Sequence, residues 1–237
     1  MNVRFRAIEA AKQFITTHFP DCHGALLAGS VVRGESTKTS DLDIVVFQPE
    51  IPKAYRESLI EYGWNIELFV HNLTSYRSFF ESDSSRGRPS LPRMVSEGMI
   101  IKDTGVIEQI KIEAKELLDN GPEEWPNEII RMKRYFITDT LDDFIGCTNR
   151  AEGLFIANSL AELVSEFVLR TNNQWLGSSK WVVRALKQFD EAFTENFINA
   201  FDAYYKTDSK DLIIGLVDQI LQPFGGRLFE GFSLGKD

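Results

Sequence analysis

Only two cysteines, Cys22 and Cys147, occur in the 237 residues, far apart and without CxxC spacing, which excludes a disulfide framework. The three histidines, His18, His23 and His71, form no zinc pattern with them. No run reaches the roughly 18 apolar residues that a membrane helix needs. The opening MNVRFRAIEAAKQFITTHF reads as an amphipathic helix without the apolar core of a signal peptide, so the expected setting is the cytoplasm, with no membrane partner. A basic excess is also missing. With a net charge of -9 and a pI near 5.0, the chain has little electrostatic grip on phosphate backbones, and long nucleic acid is disfavoured as a partner. No internal repeat or low-complexity tract is visible.

What is present is ordinary globular material: 43% hydrophobic residues, including 18 Phe, enough for one or two compact units with cores of their own. After the opening helix, Gly24 to Ala28 reads as a short strand, Gly29-Ser30 as a turn, and Arg33 to Ser40 as a polar loop. Asp41 to Phe47 (DLDIVVF) and Trp64 to Val70 (WNIELFV) alternate as strands, and the stretch between them, Pro52 to Tyr62, has helical spacing. Asn72 or Thr74 is suited to cap a following helix. Ser82 to Pro92 is loop-like in composition, so Arg86, Arg88 and Arg93 read first as solvated charges. A last short strand is expected at Ile100 to Lys102 and a helix at Val106 to Leu118. Asp119 to Pro122 breaks the pattern. Beyond it only helical periodicity remains, over Asn127 to Thr148, Glu152 to Asn172, Lys180 to Phe189, Glu191 to Tyr205 and Ser209 to Leu221. The expectation is a mixed α+β chain. Residues 1–120 would form a sheet flanked by helices and residues 121–237 an all-α antiparallel bundle.

The segment LLAGSVVRGESTKTSDLDIVVF carries the chemistry. A Gly-Ser turn leaves one strand and, eleven residues after Ser30, Asp41-Leu42-Asp43 opens the next. Period two puts both carboxylates on one face, with Leu42, Ile44 and Val46 on the other. Two like charges so close are costly without a cation between them, and hard oxygen ligands suit Mg²⁺. Glu67, between Ile66 and Leu68, has the phase to add a third acid from a neighbouring strand. Gly29 permits close approach of backbone to a phosphate. Amides at the start of a following helix, the Ser30 hydroxyl, Arg33, Lys38 and Ser40 are candidate donors to a triphosphate.

These residues resemble the signature of the polymerase-beta-like nucleotidyltransferase superfamily: Gly-Ser, a spacer of about ten residues, Asp-x-Asp, then a lone carboxylate on a later strand. A short catalytic domain followed by helices is similar to the aminoglycoside and lincosamide (kanamycin-type) nucleotidyltransferases. The resemblance implies Mg²⁺, ATP or another nucleoside triphosphate as co-substrate, a small hydroxylated acceptor such as an antibiotic, and a homodimer. It also implies a general base on the first long helix after the catalytic domain. Here ITDTLDDFIG offers Asp139 and Asp143, four apart on one face. Those enzymes usually have Glu at that place, and the lysine one turn later is Cys147 here. Lys180 is an alternative cation for the phosphates. Two other readings stand beside this one: attachment of AMP to a protein, as by the nucleotidyltransferase partners of toxin-antitoxin pairs, and a non-catalytic nucleotide-sensing module.

Overall fold

β-Branched residues dominate Leu42–Phe47, and all but Asp43 of these six residues are buried, so this strand can only be a central one. The computed structural model, which describes residues 5–235, places it in the middle of a five-stranded sheet. The strands are β1 (Gly24–Ala28), β2 (Leu42–Phe47), β3 (Tyr55–Glu61), β4 (Trp64–His71) and β5 (Met99–Asp103), in the order β3-β4-β2-β1-β5. β2 and β4 run parallel; the other neighbours are antiparallel.

The two faces of the sheet are covered differently. Leu42, Ile44 and Val46 pack with Ala25, Leu27, Ile66, Leu68 and Val70 against α1 (Ala7–His18), which contributes Ala10, Ala11, Phe14 and Ile15. Spacing by three and four residues places those four on one stripe. On the opposite face, Leu26, Val45 and Phe47 meet α2 (Ser75–Ser85), α3 (Ser90–Glu97) and α4 (Ile107–Asn120) through Tyr76, Phe80, Leu91, Val95, Ile107 and Ile110. At the start of the described chain, Phe5 donates its amide to the Tyr62 carbonyl (3.1 Å) and accepts from Trp64 Nε1 (2.8 Å). The first four residues of the expected opening helix lie outside the described residues.

The chain divides into two compact units, Met1–Gly121 and Pro122–Asp237. The second is helical: α5 (Asn127–Gly146), α6 (Arg150–Thr171), α7 (Lys180–Phe189), α8 (Glu191–Thr207) and α9 (Asp211–Leu221), with a 3-10 turn after it. Ile137, Leu141, Phe144, Leu160, Val164, Phe167, Phe201, Tyr204, Ile213 and Val217 form its core. The final segment folds back on α5, where the Leu228 amide donates to Thr138 Oγ1 (2.9 Å) and Phe232 stacks on Tyr135 at 3.9 Å.

Three expectations are corrected. Pro52 to Tyr62 is no helix; Tyr55–Glu61 is a strand paired antiparallel with β4 through the two-residue turn Tyr62-Gly63. Both turn residues have positive φ (52° and 75°), the conformation that matches hairpin twist. Helical spacing misled because β3 is an edge strand, mostly exposed, with no alternating apolar face to declare itself. Ser82 to Pro92 is mostly helical: α2 runs to Ser85 and α3 begins at Ser90. The buried Asp83 joins them, accepting from the Leu91 amide (2.8 Å) and from Arg86. Finally, no helix follows Gly29-Ser30. Residues 31–34 are hydrogen-bonded turns, ended by Gly34 at φ 73°.

Candidate active site

Strand register builds the site. Ala28 is opposite Asp43 in the β1–β2 pair, Asp43 is opposite Glu67 in the parallel β2–β4 pair, and Glu67 is opposite Ser58 in the hairpin. Four strands thus contribute one row across the sheet. Asp41 lies just before β2, two residues from Asp43. One carboxylate oxygen each from Asp41, Asp43 and Glu67 lies within 4.8 Å of the others. All three side chains are partly buried. Since Ile44 faces α1 and Val45 the other layer, Asp43 and Glu67 belong to the face shared with α2 to α4.

The surroundings press on Asp43. Burial, then the charges of Asp41 and Glu67, push its pKa up to about 6, against the pull of Arg33 and Arg56. Gly29, at φ 78°, sits directly over this carboxylate. A Cβ built there would overlap Asp43 Oδ2, so glycine is required both by the turn and by the space the acid occupies. Next to it, Ser30 Oγ donates to Ser40 Oγ (3.1 Å), which also accepts from the Thr37 amide (2.8 Å). The expected pair Ser30 and Ser40 therefore ties together the two ends of the loop between β1 and β2. Arg33 follows, with Nε 3.2 Å from Glu35 and Nη1 3.1 Å from Glu97 of α3.

Glu67 has a partner that the sequence reading missed. Arg56 of β3 places Nη2 2.7 Å from Glu67 Oε2. Its guanidinium carbon also lies 5.0 Å from the centre of the Phe69 ring. A strand assignment for YRESLIE, signalled by the Tyr-Gly turn before Trp64, would have placed Arg56 beside Glu67 as a cross-strand diagonal neighbour.

Three of the remaining expected residues lie in the second unit. Asp139 and Asp143 are exposed on α5, one turn apart, and Lys180 is exposed at the first position of α7. Asp142 between them faces Arg227 (3.5 Å), which is also bonded to Asp218. Arg86 is held by the buried Asp83, while Arg93 is half-buried on α3 and its pKa is lowered, chiefly by burial.

A glycine turn packed on an acid, joined to three convergent carboxylates, can hold a divalent cation and the phosphates it carries. Residues 9–116 match the family model of the nucleotidyltransferase domain. The match assigns a nucleotidyltransferase domain to residues 9–116, which supports a nucleotidyltransferase enzyme and implies a nucleoside triphosphate as substrate. No curated protein matches the sequence. Among matching solved structures is a nucleotidyltransferase-like protein from Exiguobacterium sibiricum 255-15. It is 11% identical, the match covers 91% of this chain and 74% of that one, and the TM-score is 0.44. Among the described residues, no helix is long and apolar enough to cross a membrane.

Proposed function

We propose that the protein transfers a nucleoside monophosphate, AMP from ATP, to a hydroxyl of a small molecule, with Mg²⁺ held by Asp41, Asp43 and Glu67. The observation that carries this reading is the meeting of those carboxylates beside the Gly29 turn, Asp43 and Glu67 in one strand row and Asp41 just before it. The donor set fits the ion. Three hard oxygens within 4.8 Å of one another approach the roughly 4 Å that spans a magnesium–oxygen shell. When bound, the cation supplies positive charge to the triphosphate and makes the attacking hydroxyl more acidic.

The chain's own residues do the rest. Gly29 lets the turn close over Asp43, and Ser30, Arg33 and Ser40 offer donors to the phosphates. Asp139 or Asp143 takes the proton from the acceptor hydroxyl, a role suggested by the likeness of α5 to the first long helix of the kanamycin-type enzymes. Lys180 adds positive charge for the phosphates. A bond forms between the acceptor oxygen and the α-phosphorus, the bond from that phosphorus to the bridging oxygen breaks, and pyrophosphate leaves.

In this reading residues 1–120 are the catalytic domain, residues 121–237 a C-terminal helical bundle domain, and the enzyme works in the cytoplasm as a homodimer. The net charge of -9 favours a cationic acceptor such as an aminoglycoside. The test is pyrophosphate release from ATP with a panel of aminoglycosides and lincosamides. The wild type should require Mg²⁺ and one class of acceptor, and Asp41→Asn/Asp43→Asn should be inactive. Equal release by the double variant, or in EDTA, would overturn the reading.

A further inference from the structure

Arg56 is placed against the carboxylate row by two independent features. Its register partner across the hairpin is Phe69, whose ring lies 5.0 Å from the guanidinium carbon, a cation–π distance. Glu67, two residues before Phe69 on the same face, receives Nη2 at 2.7 Å. The aromatic ring and the carboxylate together fix the direction of a long side chain that would otherwise sample many rotamers. The Arg56 side chain is 58% exposed and the Glu67 side chain 30% exposed, so the pair sits at the mouth of the row with its outer side open to solvent.

We infer that Arg56 is the resident counter-ion of this row, engaging Glu67 when no metal is bound, weakening the hold on free divalent cations, and so coupling cation loading to the arrival of the nucleoside triphosphate. The inference rests on the reading of Asp41, Asp43 and Glu67 as a metal site. Its physical basis is charge balance. The row's three carboxylates are attractive to a bare cation, and one guanidinium bonded to the outermost acid cancels part of that attraction. Triphosphate oxygens supply negative charge that restores it, and Mg²⁺ is bound by carboxylates together with substrate phosphates. Arg56 is thus a positioning residue acting through Glu67.

One fixed positive charge about 6 Å from a divalent cation changes its affinity by about tenfold when screened nearly as in bulk water, as suits a side chain that is 58% exposed. The experiment is calorimetric titration of Mn²⁺ into the full-length wild type, Arg56→Gln, Arg56→Lys and Asp43→Asn, each with and without α,β-methylene-ATP. Arg56→Gln should bind Mn²⁺ alone about tenfold more tightly, and the gain in Mn²⁺ affinity caused by the analogue should shrink by a similar factor. Arg56→Lys, which keeps the charge, should stay near the wild type. If Mn²⁺ binding is lost in Asp43→Asn but unchanged or weaker in Arg56→Gln, the counter-ion role is overturned and the metal site stands. If wild type and Asp43→Asn behave alike, the metal-site reading itself fails.

Discussion

Replacing Asp43 by Asn should make the metal-free protein more stable at pH 8, although it removes the central acid of the site. Burial and the charges of Asp41 and Glu67 raise this carboxyl from 3.8 to about 6. The folded state therefore keeps a proton between those values where the unfolded chain has lost it, and stability falls as pH rises through that window. Above pH 6 the whole cost is present. A shift of about two units corresponds to about 3 kcal/mol at most, and to about half of that once solvent screening of a partly exposed side chain is allowed for. The neutral, nearly isosteric amide removes the cost, so its melting temperature in EDTA at pH 8 should rise by about 5 °C, with little gain at pH 4. His71 makes a useful internal contrast. It is 3% exposed, its Nδ1 has no hydrogen-bond partner among the described residues, and burial lowers its pKa from 6.5 to about 4. Its effect has the opposite sign: stability is complete above pH 6.5 and is lost as pH falls toward 4. The two slopes oppose each other in the wild type, and Asp43→Asn should unmask the acid lability of His71. Scanning calorimetry in EDTA from pH 4 to 8 measures both. Adding Mg²⁺ should then stabilise the wild type and leave the variant unmoved. A variant less stable than wild type at pH 8 in EDTA, or an equal difference at pH 4 and 8, would refute the reasoning.

Gly29→Ala combines a positive-φ backbone with a Cβ that overlaps Asp43 Oδ2, so it should cost at least about 1 kcal/mol. It should also abolish turnover, measured by denaturant melts and pyrophosphate release. Asp83→Ala removes a buried carboxylate that accepts the Leu91 amide and pairs with Arg86. A loss of about 2–3 kcal/mol is expected, read from the urea midpoint. Phe144→Ala empties the core of the helical unit beside Tyr204, whose ring centre is 4.8 Å away, and should cost about 3–5 kcal/mol by the same assay.

How much was legible in the sequence depended on where each signal lay. β2 and β4 declare themselves because central strands must be apolar on at least one face. The phase of Glu67 against Ile66 and Leu68 was readable for the same reason, and the parallel register then sets it opposite Asp43. The helices of the second unit follow their three-four spacing; α7 falls on its expected bounds, and one or both ends of α5, α6, α8 and α9 are shifted by one or two residues. β3 was misread because its stability comes from pairing along one edge of β4, which leaves no periodicity in its own side chains. Arg56 was lost with it, since a diagonal neighbour exists only once the hairpin does. Asp83 reads as loop in composition because a buried carboxylate is recognised by the amide it meets, and that amide, of Leu91, belongs to a helix eight residues on. The helix expected after Gly29-Ser30 fails for a local reason: Gly34 turns the chain out of it.

The parallel pairing of β2 with β4 has a consequence for how the site comes into being. Asp43 and Glu67 are not joined by a hairpin; the intervening chain must first run out to the sheet edge as β3 and return. A nascent or truncated chain ending before β4 would display Asp41 and Asp43 without their third companion, and long-range pairing of this kind carries a high loop-closure cost. Completion of the row is thereby tied to the pairing of β4 with β2, so that the carboxylates come together through a long-range contact rather than as a local motif that forms on its own.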